Sequence, residues 1–112
     1  MENSLDKFYG KWHSEEVPKL VGMLVAAQIP YEIDDDHGGK HIWIPSSDVY
    51  DAGTDERRIS VISFNGSYGG ERGLLEIYAP GLNNGVEGYL NAKEAFDYIV
   101  DTRNGISRES YG

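Results

Sequence analysis

Apolar residues recur at helical spacing in the segment that follows residue 14. The spacing is i, i+3, i+4, i+7 and i+8, which is typical of one buried stripe on a helix. Ser14 is a residue type that caps helix N-termini, and Pro30 cannot continue a helix. The pattern therefore predicts a core helix between them. Its buried stripe would consist of Val17, Leu20, Val21, Leu24 and Val25.

A second helix is predicted near the end of the chain. Asn91 is a good N-cap, Glu94 stands three residues later as in a capping box, and Leu90 precedes the cap. Asn104 and Gly105 form the expected stop. The predicted buried stripe consists of Ala92, Ala95, Phe96, Ile99 and Val100.

Between these helices the pattern changes to short strands. The predicted strands are residues 31–33, 41–45, 57–64 and 73–79. Ile33, Ile42 and Ile44 are expected to point inward, and Gly38-Gly39 to supply the positive φ of a tight turn. A polar loop, residues 80–88, would lead to the last helix. This order predicts an α+β fold, a mostly antiparallel four-stranded sheet with two main helices packed on one face.

The length of 112 residues predicts a single domain over residues 1–112. Residues 1–12 form a possible N-terminal helix and residues 105–112 a frayed tail. The chain has no cysteine, which excludes disulfides and thiolate metal sites. No basic region followed by an apolar run marks a signal peptide, and no apolar stretch approaches the 18 or so residues that span a membrane. We expect a soluble, cytoplasmic protein.

The charge is strongly acidic and unevenly distributed. The net charge of −9 argues against direct nucleic-acid binding, which needs a clustered basic surface. Residues 1–56 contain twelve acidic residues and four lysines, so most of the excess lies in the first half. Arginine suits phosphate and carboxylate recognition, although arginines also decorate sheet surfaces. All five are in the second half, namely Arg57, Arg58, Arg72, Arg103 and Arg108.

The acidic stretch DDDHGGKH, residues 34–41, could supply ligands to a divalent metal. Its spacing matches neither the calcium loop nor the helical zinc motif, and adjacent aspartates on an extended chain point in alternating directions. A solvated hairpin turn is the preferred interpretation. No nucleophile elbow or zinc-protease motif is present either. We therefore predict no catalytic residues, no metal site, no cofactor and no enzymatic activity.

The glycine-rich stretch of residues 63–85 raises a second question of ligand binding. It contains six glycines, and it matches neither the Walker loop nor the G-x-G-x-x-G fingerprint. Free backbone amides could form an anion nest, Tyr68 could stack on a base, and Arg72 could grip a phosphate. The alternative is that the glycines only turn the chain. The candidate ligand-binding residues are Ser67, Tyr68, Gly69, Gly70, Arg72, Arg57 and Arg58.

Aromatic residues exceed the needs of so small a core. The chain has eight tyrosines and two tryptophans, residue types that are enriched at interfaces. We expect a protein or ligand interface and a homo-oligomer. The tyrosines that do not all fit inside are Tyr50, Tyr68, Tyr78, Tyr89 and Tyr111.

Two sequence blocks carry a resemblance. The first has GSYG followed by GLLEI within residues 60–77, and the second has GYL-x-A-x-x-x-F at residues 88–96. Together they resemble small proteins of phages and prophages of Firmicutes over roughly residues 17–100. The resemblance brings no established activity with it, but implies a mobile-element origin.

Small acidic non-enzymatic proteins of phages often act against host defence. That setting favours a protein that binds and sequesters a small nucleotide-type signal. The alternative is an acidic protein–protein inhibitor that mimics nucleic acid and blocks a basic surface of a host defence protein. A virion or replication accessory without a defence role is a third hypothesis.

Overall fold

The computed structural model describes residues 14–36, 38–50, 58–64, 66–79 and 85–104. Within these ranges the chain forms two α-helices and five β-strands, with one short 3₁₀ helix between β3 and β4. The elements are α1 (Glu16–Ala26), β1 (Glu32–Asp36), β2 (Gly39–Ile44), β3 (Ile59–Ser63), the 3₁₀ helix (Gly70–Arg72), β4 (Leu75–Tyr78), β5 (Val86–Leu90) and α2 (Ala92–Arg103).

The five strands form one sheet in the order β1-β2-β3-β4-β5, and each strand is antiparallel to the next. Side chains alternate between the two faces of a strand, so the strand register decides which residues share a face. One row of paired residues on the inner face crosses all five strands. It consists of Ile33, Ile42, Val61, Ile77 and Glu87.

Both helices bury their apolar side chains in the core that this inner face helps to form. Their first turns are also joined, because a carboxylate oxygen of Glu16 accepts the backbone N–H of Ala92 at 2.9 Å. The predicted capping box of α2 is confirmed. The Glu94 N–H donates to Asn91 Oδ1 at 2.8 Å, and the Asn91 N–H donates to the Glu94 carboxylate at 3.0 Å. The α+β class with helices on one face is thus confirmed.

The predicted number of strands is wrong. A fifth strand, β5, begins inside the segment that the sequence predicted as a polar loop. It pairs with β4 through a register shift between Leu75 and Ile77 that interrupts the regular alternation. With Gly88 at its centre and Glu87 on its buried side, β5 lacks the apolar/polar alternation from which strands are recognised.

Two predictions about α1 need correction. Ser14 does not cap this helix; its hydroxyl donates to the carbonyl of Gly73, and Glu15 occupies the cap position without a side-chain bond. Val25 was predicted in the buried stripe but is 59% exposed; Val17, Leu20 and Leu24 are buried, and Val21 is partly buried against the core. In α2, Tyr98 is buried although it was not predicted to be.

The hairpin between β1 and β2 is tighter than predicted. The three aspartates, residues 34–36, belong to β1, and Gly39 is already the first residue of β2; Gly38 has a positive φ, whereas Gly39 does not. Ile33 is on the inner face but is 40% exposed, because β1 is an edge strand. The predicted helix 1–12, the tail 105–112 and Arg57 lie outside the described residues.

Candidate functional site

The sheet face opposite the helices, which we call the open face, is the first candidate surface. No described helix packs on it, since both helices pack on the inner face. The strand register places two rows of side chains across it. One row consists of Glu32, Trp43, Ser60, Tyr78 and Val86, and the other of Asp34, His41, Ile62 and Glu76.

An arginine is already bound on this face by the protein itself. The guanidinium of Arg58 lies 5.0 Å from the ring centroid of Trp43 and 5.2 Å from that of Tyr50. It forms an ion pair with Glu32, and its Nε donates to the carbonyl of Pro45 at 3.1 Å. Arg58, a predicted ligand-binding residue, therefore has Nε and one Nη engaged within the fold.

Glu32 receives further hydrogen bonds from a neighbouring turn. The Ser47 side chain and backbone N–H both bond to its carboxylate, which also pairs with Arg58. These hydrogen bonds, with the Ser47 side chain as the largest cause, hold the pKa of Glu32 below its ordinary value, while burial opposes them. The carboxylate therefore stays ionised and keeps Arg58 on the face of Trp43.

Next to this cluster, His41 stacks on Trp43. Their ring centroids are 3.9 Å apart with an interplanar angle of 17°, and His41 Nε2 lies 2.6 Å from the Ser60 hydroxyl. An open recess of about 450 Å³ lies beside the stacked pair. It is lined by Asp34, Asp35, His41 and Trp43.

The open face is acidic as well as aromatic. Its two rows contain Glu32, Asp34 and Glu76, and among the described residues Arg58 pairs with Glu32. The Glu76 carboxylate accepts the backbone N–H of Tyr68 at 2.8 Å, which fixes the glycine-rich loop beside the face. A surface of this kind repels phosphate and attracts basic groups.

The glycine-rich loop, residues 66–74, uses most of its own amides. Six of its N–H groups donate to acceptors inside the protein, most of them to carbonyls of the same loop. The Ser67 hydroxyl is likewise bonded to the carbonyl and the N–H of Phe64. Few N–H groups of the loop remain to bind an anion. The loop is therefore mainly a turn that is stabilised by its own hydrogen bonds.

One part of the loop still offers a polar recess. A cavity of about 120 Å³ is lined by Ser67, Gly69, Glu71, Arg72 and Tyr89. Arg72 is exposed and has no carboxylate partner in the described part of the chain. Tyr89 is 59% exposed and has φ +59°, a conformation that non-glycine residues rarely adopt.

The predicted ligand-binding residues do not form one site. Ser67, Gly69 and Arg72 line the small recess, and Tyr68 lies 60% exposed at the margin of the open face. Arg58 precedes β3 whereas the loop follows it, and six residues of extended chain separate the two ends by roughly 20 Å. Gly70 is buried in the 3₁₀ helix.

The stacked pair His41 and Trp43 was not predicted from the sequence. The signal was present in HIWI, residues 41–44, because the alternation that sends Ile42 and Ile44 inward sends His41 and Trp43 outward. The predicted excess of surface tyrosines is confirmed for Tyr68, Tyr78 and Tyr89. Their role at an interface stays a prediction.

Comparisons with protein-family models, curated proteins and solved structures find no match to this chain. The resemblance to phage proteins therefore stays a prediction. In the described part of the chain, no cluster of three or more His, Cys, Asp or Glu residues could hold a metal ion. None of the described helices is long and apolar enough to cross a membrane.

Proposed function

We propose that this chain is a non-enzymatic protein inhibitor whose open face covers a basic surface of its partner. The observation that carries the proposal is the composition of that face. Trp43, Ile62 and Tyr78 lie along the middle strands of a sheet face that no described helix packs against, with carboxylates at Asp34 and Glu76. Aromatic and aliphatic contacts would supply affinity, and the carboxylates would select a basic partner.

The fold supports this function because it presents a rigid surface. The side chains project from hydrogen-bonded strands, and two of them are held further by the His41–Trp43 stack and the bond to Ser60. Interface residues that are already ordered lose less conformational entropy on binding. In the setting that the resemblance implies, the partner is a host defence protein in the host cell cytoplasm, and the inhibitor comes from a mobile element.

Two charge reversals test the proposal. Asp34→Lys and Glu76→Lys place cations on the open face, and Asp97→Lys is the matched control because Asp97 lies on α2, on the other side of the sheet, in an exposed pair with Lys93. Proteins captured by the immobilised chain from host extract are identified, purified and titrated against all three variants. We expect the open-face variants to lower affinity at least about tenfold, the scale of an unfavourable like-charge contact.

The control variant should bind within about twofold of the original chain, as expected for a surface substitution away from the contact. Host-defence activity measured in the same cells should recover in parallel with the loss of binding. A direct partner whose affinity is the same for the original chain and both open-face variants would refute the proposed surface.

A second candidate function is the sequestration of a small nucleotide-type signal at the recess beside Arg72. The supporting observation is the position of the exposed Arg72 next to the exposed ring of Tyr89, which could hold a phosphate and a base respectively. Glu71 in the same recess and the engaged loop amides oppose it. The geometry therefore favours the protein inhibitor.

Isothermal titration against cyclic and ADP-ribose-derived nucleotides tests the second candidate. If the signal binds there, Arg72→Ala should weaken it about ten- to 150-fold, since a charge-assisted hydrogen bond contributes about 1.5–3 kcal/mol. Arg103→Ala, at the exposed end of α2, is the control. Absence of binding to the whole panel would eliminate this candidate.

A further inference from the structure

We propose that the outer edge of β5 binds an extended basic segment of another protein, which adds a strand to the sheet beside residues 86–88 and contacts the ring of Tyr89. This site lies beyond the open face, and its test does not need the partner proposed for that face. Main-chain hydrogen bonds supply much of the affinity, and the acidic groove along the strand selects basic side chains.

The first argument is that the two edges of the sheet are protected to different degrees. On β1 four of the five residues are acidic, namely Glu32 and residues 34–36, and charges of this kind hinder the pairing of an edge strand with another chain. On β5 the single charged residue is Glu87, whose side chain is buried on the inner face. The edge of β5 therefore lacks the charges that protect β1.

The second argument is the direction of the main-chain groups of β5. The Ala79 N–H donates to the Gly85 carbonyl at 3.1 Å, so these opposite residues form a hydrogen-bonded pair. Opposite residues of antiparallel strands alternate between bonded and non-bonded pairs, which turns the N–H and C=O groups of Val86 and Gly88 away from β4. No described strand lies beyond β5. The register shift at the following residues limits an added strand to the length of residues 86–88.

The third argument is an open groove of about 260 Å³ along this edge. Gly88 and Tyr89 line one side of it, and Glu94 and Asp97 of α2 line the other. The charged residues of its lining are all acidic. The Glu94 carboxylate accepts a neutral backbone N–H and so keeps its negative charge, whereas Asp97 pairs with Lys93. The groove therefore attracts a basic segment and repels an acidic one.

The fourth argument is that Tyr89 is held beside the groove at a cost in stability. Its φ of +59° is a left-handed conformation, which is strained for a residue with a Cβ. The fold does little to offset this strain, because the side chain is 59% exposed and its hydroxyl bonds to no described residue. Strained residues of this kind cluster at binding sites. The exposed ring is therefore suited to contact a bound segment.

The test uses the purified full-length chain and three peptides in two-dimensional NMR. The first is acetyl-Lys-Val-Lys-Val-Lys-amide, and the second has glutamate in place of each lysine. The third is the lysine peptide N-methylated at its three central residues, which removes backbone donors and keeps the charge. We expect the lysine peptide to shift the backbone amide signals of Val86 and Gly88. It should bind at least about fivefold more tightly than either of the others, because they lose hydrogen bonds or reverse the charge.

Two pairs of variants test the groove. Glu94→Gln keeps a capping-box residue but removes the charge, so it should weaken the lysine peptide about two- to fivefold, the scale of one exposed charge pair. Asp34→Asn, on the opposite edge strand, should leave the affinity unchanged. Tyr89→Gly should weaken the peptide without lowering Tm, because glycine relieves the strain. Gln28→Gly is its control, since Gln28 is exposed and also has a positive φ, +58°, and this variant should retain the affinity.

Equal affinity for the lysine peptide and its N-methylated form would overturn strand addition, as would amide shifts confined to the open face. A glutamate peptide that binds as tightly as the lysine peptide, or an unaltered titration in Glu94→Gln, would refute selection by the acidic groove. Full affinity in Tyr89→Gly would refute the contact with Tyr89. A Tm lowered by Tyr89→Gly would refute the strain from which that contact is argued.

Discussion

Replacing Gly69 by alanine is expected to destabilise the protein more than the same change at Gly66. Both glycines have positive φ, +90° at Gly69 and +94° at Gly66, so an alanine is strained at either position. They differ in their surroundings. An added Cβ at Gly69 would lie 2.8 Å from the Cα of Tyr89 and 3.0 Å from its N, whereas nothing lies within 4 Å at Gly66.

The magnitudes follow from these two contributions. The left-handed conformation alone costs about 1–2 kcal/mol for a residue with a Cβ, which is the whole effect expected at Gly66. At Gly69 the overlap is with backbone atoms of β5, which cannot rotate away, and overpacking adds about 1–3 kcal/mol. The expected loss of unfolding free energy is therefore about twice as large at Gly69 as at Gly66.

Thermal and urea unfolding followed by circular dichroism measure both variants. For a chain of this size each kcal/mol corresponds to roughly 4–5 °C in Tm, so the two variants should be separated by several degrees. Equal Tm values for Gly66→Ala and Gly69→Ala would refute the close packing of the glycine-rich loop on β5. A Tm that is lower for Gly66→Ala than for Gly69→Ala would refute both the close packing at Gly69 and the magnitudes derived from it.

Three further predictions concern the core, a helix cap and an ion pair. Ile77→Ala should lower the unfolding free energy by about 2–5 kcal/mol in urea titrations, because Ile77 is fully buried on β4, which has a strand on each side. Asn91→Ala should cost about 0.5–2 kcal/mol in the same assay by removing the capping bond to the Glu94 N–H. Glu32→Gln should lower Tm at neutral pH by weakening its pair with Arg58. The pKa of Glu32 is lower in the folded protein than its ordinary value of 4.5. The ionised carboxylate therefore stabilises the fold fully above pH 4.5, and this stabilisation is lost as the pH falls through the lower pKa of the folded state. The Tm difference between Glu32→Gln and the original chain should therefore shrink in acid, and a difference that does not change with pH would contradict this.

The glycine-rich loop shows why site predictions from sequence have a limit here. Its composition indicated free backbone amides and an arginine that binds phosphate. Composition does not show, however, which of these amides already donate hydrogen bonds within the fold. The fold engages six of the loop amides internally, and β3 separates Arg58 from Arg72. The recess beside His41 and Trp43 likewise requires the register of β1 against β2, a contact between strands that no local pattern specifies.

The sequence by itself determined the elements whose stabilisation is local. The period of 3.6 residues located both helices, and the capping box at Asn91 depends only on residues three positions apart. The alternation of inward and outward side chains along the chain likewise identified β2 and β3. Tertiary structure decided what depends on distant partners. Ser14 docks on Gly73 instead of capping its own helix, and β5 is a strand because β4 supplies its hydrogen bonds. The acidic and aromatic open face exists only because five strands align in register, and non-local pairing of this kind is set by burial of the whole inner face.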